Sequence, residues 1–209
     1  MRIEKIGHSC LLVETGDARL LIDPGNVAGA WDQLDGLTGI LLTHQHPDHY
    51  DAQRFTALVQ RNPDAQIVAD EGTAPLLTGQ GLTVTTVRDG DTVDVSGVSI
   101  GVRGRTHEVI HPDIPVIPNV GYVIGELFHP GDAFTPPPAG VRILAAPMVA
   151  PWSKIAEAVD YLRAAAVPVV VPVHDAIAAF PAMYQTIARG LLPDSTAIRA
   201  LDGEGPVTF

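Results

Sequence analysis

Four side chains able to bind a metal ion, His44, His46, Asp48 and His49, fall within the stretch Thr43-His44-Gln45-His46-Pro47-Asp48-His49. Imidazole nitrogen and carboxylate oxygen together are the donor set of borderline divalent ions such as zinc. His44 and His46 can converge on one ion, while Asp48 and His49, offset along the loop, more easily serve a second ion nearby. The alternative is a polar loop that merely contains histidine. Three of the chain's eight histidines sit here beside an aspartate, which favours the metal site. The stretch reads as a metal site on a loop held by a rigid sheet, which suits a reactive centre.

The stretch matches the Thr-His-x-His-x-Asp-His signature of the metallo-β-lactamase-fold hydrolases, and the chain resembles that superfamily along most of its length. The resemblance implies further ligands downstream, and His107, Asp132 and His174 occur in the required order. It assigns His44, His46 and His107 to a first ion, Asp48, His49 and His174 to a second, and Asp132 to a bridge between them. It implies two divalent ions, zinc in the first place with manganese or iron as substitutes, and a hydroxide between them as nucleophile, oriented by Asp48. His111 lies four residues after His107 in the same segment. His107 is preferred as the ligand because it follows the preceding strand more closely. His111 then stands as a proton donor, a substrate contact or a surface histidine. Asp23 resembles the family's buried aspartate that hydrogen-bonds the ligand loop. His8, in Gly7-His8-Ser9, is a candidate to approach the site, with a structural histidine as the equal alternative. His129 reads as structural. Trp31, Trp152 and Lys154 sit on segments that could border a substrate pocket, with ordinary packing or solvation the favoured explanation for each.

These ligands require a rigid frame. Ile40-Leu41-Leu42 reads as a short buried strand delivering the first ligands, and Val169-Val170-Val171-Pro172-Val173 as another delivering His174. Strands are expected at 2–6, 9–14, 19–22, 66–69, 82–87, 91–95, 97–103, 121–124, 127–128 and 142–146. Helices are expected at 51–61, 71–79, from an N-cap at Ser153 to Ala166, and at 181–189, with a short tail from Leu191. The irregular stretch from Arg105 to Asn119 belongs at the mouth of the site. A weak echo links two halves: one hairpin ends in Ile22-Asp23-Pro24-Gly25, the other in His129-Pro130-Gly131-Asp132. The resemblance implies an α/β (α+β) fold, a four-layer αββα sandwich of two mixed β-sheets flanked by helices. A single domain is expected over 1–209.

Composition narrows the partners. With 13 Lys and Arg against 24 Asp and Glu, the formal charge is −11. That argues against a duplex nucleic-acid footprint or an anionic membrane surface. A small-molecule substrate is expected, an anionic one included, since two divalent ions would dominate the local field. No apolar run approaches a membrane span, and Met1-Arg2-Ile3-Glu4 has no export-signal character, so a cytoplasmic location is expected. Cys10 is the lone cysteine and reads as a small buried side chain rather than a reactive thiol. A homo-oligomer is compatible with the sequence.

Aspartate at 132, where many β-lactamases carry cysteine, favours the two-metal hydrolase branches, and compact bacterial members akin to ascorbate-6-phosphate lactonase are the nearest in pattern. No RNA-handling insertion or added helical domain fits the length. The expected reaction is opening of an ester, lactone or similar bond. A phosphodiesterase on the same site and a non-catalytic metal-binding or sensing protein are the rivals.

Overall fold

Alternating burial along the strands decides the architecture. In the computed structural model, which describes residues 1–209, Leu11 and Val13 face one cluster of buried side chains while Cys10 and Leu12 face another. That period of two is the signature of a strand buried on both faces. Along the chain the strands are β1 (Arg2–Gly7), β2 (Cys10–Thr15), β3 (Ala18–Ile22), β4 (Gly39–Leu42), β5 (Gln66–Ala69), β6 (Thr85–Thr86) and β7 (Thr92–Val95). They continue with β8 (Val98–Arg103), β9 (Gly121–Ile124), β10 (Leu127–His129), β11 (Ile143–Pro147), β12 (Val169–Val173), β13 (Ala197–Ile198) and β14 (Val207–Thr208). The helices are α1 (Phe55–Arg61), α2 (Ala74–Gly79), α3 (Ile155–Ala165) and α4 (Pro181–Leu191).

Two seven-stranded mixed sheets result, ordered β14-β1-β2-β3-β4-β5-β6 and β13-β12-β11-β10-β9-β8-β7. Each is antiparallel through its hairpins and turns parallel beyond them, at β3–β4 in the first and β10–β11 in the second. The two-half echo in the sequence is therefore a real structural repeat. Leu20, Ile22, Leu41 and Val68 from the first sheet meet Ile100, Tyr122, Ile124 and Val171 from the second in one shared core. The Tyr122 hydroxyl crosses that core and donates to the Leu42 carbonyl at 2.7 Å, so the strand that delivers the first ligands is tied to the opposite sheet. Outside the sandwich, Phe55 and Leu58 of α1 and Leu77 of α2 cover Leu21, Ile40 and Leu42. Val159 and Leu162 of α3 and Ala188 of α4 cover Leu144, Ala146 and Val170. This is the expected αββα sandwich. No helix is long and apolar enough to cross a membrane.

Several local expectations need correction. The helix expected from 51 starts at Phe55, because the Asp51 carboxylate accepts the Gln53 N–H at 2.9 Å and holds a turn there. Ser153 is not the N-cap of α3. Lys154 takes that position, and its N–H donates to the Glu157 carboxylate at 2.7 Å. The strand expected at 82–87 shortens to Thr85–Thr86, and α4 runs on to Leu191. The tail contributes two strands that were not expected, since a two-residue strand has too little alternation to show in sequence. Of these, β14 pairs with β1 at Arg2↔Thr208 and Ile3↔Val207, joining the two ends of the chain. For Trp31 the favoured reading, ordinary packing, holds: it is fully buried, its indole donates to the Gly25 carbonyl at 2.9 Å, and the Arg54 guanidinium lies 4.4 Å above its ring.

The segment after β3 passes so close to the ligand loop that Gly25 tolerates no side chain: a Cβ there would lie 1.7 Å from the Asp48 carbonyl oxygen. Gly25→Ala is predicted to destabilise the metal-free protein by at least about 1–3 kcal/mol in urea titrations, the range for overpacking. Gly79→Ala, where a Cβ meets nothing within 4 Å, should shift it by no more than about 0.5 kcal/mol. Equal effects of the two would contradict this packing.

Candidate metal centre

The C-terminal ends of β4 and β12 and the loops after β8 and β10 converge at one edge of the sandwich. After Leu42 the chain leaves the sheet and is clamped at once by Asp23, at the end of neighbouring β3. The Asp23 carboxylate accepts the Thr43 N–H at 2.8 Å and the Thr43 hydroxyl at 2.7 Å, and lies 2.7 Å from His49 Nδ1. Both ends of the ligand loop are thus held by one buried carboxylate. Between them His46, Pro47 and Asp48 form a helical turn closed by the Tyr50 N–H donating to the His46 carbonyl at 2.8 Å. The expectation for Asp23, a residue that orients ligands rather than touching metal, fits this geometry.

Four of the clustered histidines commit Nδ1 outward, His49 to Asp23 among them. His107 Nδ1 donates to the Glu108 carbonyl and His174 Nδ1 to the Val149 carbonyl, both at 2.6 Å. His44 Nδ1 lies 3.0 Å from the Thr43 hydroxyl, whose proton is already given to Asp23, so the ring is the donor. With their Nδ1 protons fixed, these rings turn Nε2 lone pairs inward. There, Nε2 of His49, His107 and His174 and Oδ1 of Asp132 are buried without a hydrogen-bond partner. Buried polar atoms are rarely left so, and four aimed at one small volume fit a cation. The spacings agree. His44 Nε2 and His46 Nδ1 are 3.1 Å apart, close to the ~3.3 Å between tetrahedral ligands of one zinc ion.

The donors fall into sets: His44 with His46 and His107; Asp48 with His49, His174 and His8; and His44 with His49 and Asp132, all within 4.8 Å in each set. Asp132 sits between the sets. Its Oδ1 is 3.1 Å from His49 Nε2, and its Oδ2 is 2.9 Å from His174 Nε2 and 3.3 Å from His107 Nε2. All seven residues expected as ligands are therefore brought together, and His107 takes the place over His111. His8 joins them, with Nε2 at 3.2 Å from Asp48 Oδ2. His111 does not: its side chain is 60% exposed and faces Asp113. His129 is structural, packed 2.9 Å from the Ser9 carbonyl. Cys10 is fully buried, and burial pushes its thiol pKa up, away from reactivity.

Three supports were missed in sequence. The Asn119 side chain accepts the Asp132 N–H at 3.0 Å and donates to the Pro130 carbonyl at 2.9 Å, fixing the turn that carries Asp132. The Trp152 indole donates to Asp132 Oδ2 at 3.0 Å, a direct role where packing alone was the likelier reading. Buried Lys5 pairs with Asp175 at 2.6 Å and Asp202 at 2.9 Å, anchoring the segment after His174. None lies in a motif; only their partners reveal them.

Charge in the cluster is strongly coupled. Burial opposes ionisation of Asp132, but His49 and His174 outweigh it and hold the carboxyl well below its usual range. Asp48 is lowered too, by His174 and His8 against its burial. Burial lowers His44 and His46, and neighbouring imidazoles lower them further. His49 is raised by Asp132 and Asp23 despite complete burial. For His174, burial is likewise overcome by Asp132 and Asp48, and its pKa rises to about 9. Without metal, then, protons take the place of cations.

The family model for the β-lactamase superfamily domain matches residues 2–174. Protein Rv0786c of Mycobacterium tuberculosis is 43% identical over the full length of both chains. The UPF0173 metal-dependent hydrolase mll0680 of Mesorhizobium japonicum is 37% identical over 46% of this chain and 44% of its own length. Among solved structures, Igni18, a metallo hydrolase from Ignicoccus hospitalis, superposes with a TM-score of 0.74 at 21% identity, covering 100% of this chain and 98% of its own.

Because His174 gains a proton on folding without metal, it stabilises the metal-free protein fully below pH 6.5, and that contribution is lost as pH rises through about 9. EDTA-treated protein is predicted to lose urea resistance between those values, a loss that His174→Asn reduces. Over the same interval zinc affinity should rise, because the ion no longer competes with the proton. A metal-free stability that is flat across this window would contradict the assignment.

With the family model matched over residues 2–174 and the fold and cluster in agreement, the chain belongs to the β-lactamase superfamily.

Proposed function

We propose that this chain uses two divalent ions, zinc foremost with manganese or iron as substitutes, to open an ester or lactone of a small molecule by hydrolysis. His44, His46 and His107 would hold one ion, Asp48, His49 and His174 the other, with Asp132 between them. The observation that carries the reading is the set of inward Nε2 and Oδ atoms that no protein group satisfies. When bound, the ions would supply Lewis acidity, polarising the scissile carbonyl and acidifying water.

The chain's own residues divide the remaining work. Asp132 is nearly closed off from solvent, whereas the Asp48 side chain is 28% exposed. Asp48 is therefore the carboxylate that can reach an incoming water, orient it and take its proton. His8 supports Asp48. Its polarity is the reverse of a ligand's: the inward Nε2 meets the Asp48 carboxylate and the outward Nδ1 has no partner. It fits a donor that holds the carboxylate in place.

The absence of cationic side chains favours a neutral ester or lactone over a phosphodiester. Arg105 pairs with Asp89 at 3.0 Å, the Arg103 guanidinium donates to its neighbour Val102, and Lys154 points to solvent. Two ions could clamp a phosphodiester unaided, but no cationic side chain here would add to them, and a neutral ester needs none. His111, exposed and remote from the clustered donors, keeps at most the role of a substrate contact.

The test is a substrate panel on metal-replete protein: a 4-nitrophenyl ester, a δ-lactone and bis(4-nitrophenyl) phosphate. Ester or lactone turnover should exceed phosphodiester turnover, and Asp48→Asn should lower kcat by about 10²–10⁴-fold, the range for a positioned proton acceptor. Turnover of the phosphodiester alone, or activity untouched by Asp48→Asn, would refute the reading.

A further inference from the structure

The loop after β11 and the segment running from β12 into α4 border a trough of about 390 Å³, with Val149, Pro151, Ile177, Phe180, Met183 and Tyr184 in its lining. No charged residue lines it, in a chain that is otherwise strongly acidic. Ile177, Phe180 and Met183 are 49%, 74% and 52% exposed, so large apolar side chains face solvent together at one place. Isolated exposed hydrophobic residues need no explanation, but a contiguous set bordering a cleft does.

The trough shares a loop with the metal centre. Its wall residue Val149 is the backbone acceptor of His174 Nδ1 at 2.6 Å. Trp152, from the same loop, donates to Asp132 and stands 6.0 Å from the His107 ring and 6.4 Å from the His174 ring. One loop thus touches the ligands with one end and forms the trough with the other. The other sizeable clefts have charged linings. The cleft beside Phe134 and Tyr161 carries Glu157 and Asp160, the one beside Arg88 and Arg105 also carries Glu71 and Asp89, and the one along Gln45 and Pro47 carries Asp51.

We propose that this trough binds the hydrocarbon part of the substrate, so that the enzyme acts on uncharged esters or lactones bearing an aliphatic or aryl chain. This rests on the hydrolase reading above and adds the substrate class to it. The volume lies within the roughly 300–1,000 Å³ of small-molecule pockets. In the reaction the oxygen of water bonds to the carbonyl carbon, the acyl C–O bond breaks, and the leaving oxygen takes a proton. The products are an acid and an alcohol, with no change of oxidation state.

Two measurements test the proposal. With metal-replete protein, kcat/KM for 4-nitrophenyl acetate, butyrate, hexanoate and octanoate should climb about two- to fourfold per methylene, the effect of transferring it out of water. Phe180→Ser and Met183→Ser, both at exposed positions, should flatten that slope. Independently of turnover, 2-octanone titrated into EDTA-treated protein should shift the Met183 methyl resonance, and Phe180→Asp should weaken binding by about tenfold. A flat series with acetate turned over overturns the proposal and leaves the hydrolase reading intact. Binding of 2-octanone with no ester hydrolysed supports the trough while the hydrolase reading fails. A dimer that Phe180→Asp dissociates, with no 2-octanone bound, makes the trough an interface between copies and overturns the proposal.

Discussion

The structure depends on one constraint: a set of imidazole lone pairs and carboxylate oxygens held close together and pointed inward. Such an arrangement is unfavourable by itself, because like lone pairs repel and buried polar atoms lack partners. It is imposed from outside. The Glu108 and Val149 carbonyls, the Thr43 hydroxyl and the Asp23 carboxylate each fix the outer nitrogen of one ring. A cation relieves the conflict, as does a proton, which is why His49 and His174 are raised and Asp132 is lowered in its absence. Metal binding and folding are thermodynamically linked here.

Backbone strain is concentrated in the same place. Five residues other than glycine adopt positive φ, and His8, Asp23 and His174 are three of them. Each such residue costs on the order of 1 kcal/mol or more and persists only when its surroundings over-determine it. The surroundings are sheet ends. Asp23 leaves β3, His174 leaves β12, and the N–H of His174 donates to the His8 carbonyl at 3.2 Å, joining the two sheets beneath the centre. The left-handed turns let strands that run into the core release their next residue sideways into the site.

The site was more legible in the sequence than the frame around it. Ligand types have few alternatives, so the heptad, Asp132 and His174 could be found from residue identity and from the buried strands before them. His107, preferred over His111 for its closeness to β8, is the one of the two that lies with the other donors. Residues that act through partners were not legible: Asn119 and Trp152 have no motif, and their roles appear only when Asp132 is placed beside them. Lys5 reads as an ordinary strand residue until Asp175 and Asp202 are brought across from the far end of the chain. Trp31 read most simply as packing, and it packs, although its partner Arg54 at the start of α1 was not legible. Strands of four or more residues declared themselves by alternation, while β13 and β14 were too short to do so.

The most direct test of the central claim is a crystal structure of zinc-loaded protein with anomalous scattering recorded on both sides of the zinc edge. Two peaks are predicted, one among His44, His46 and His107, the other among Asp48, His49 and His174, each within about 2.3 Å of Asp132. A single peak, or zinc bound elsewhere with this cluster left empty at saturation, would contradict the two-ion centre.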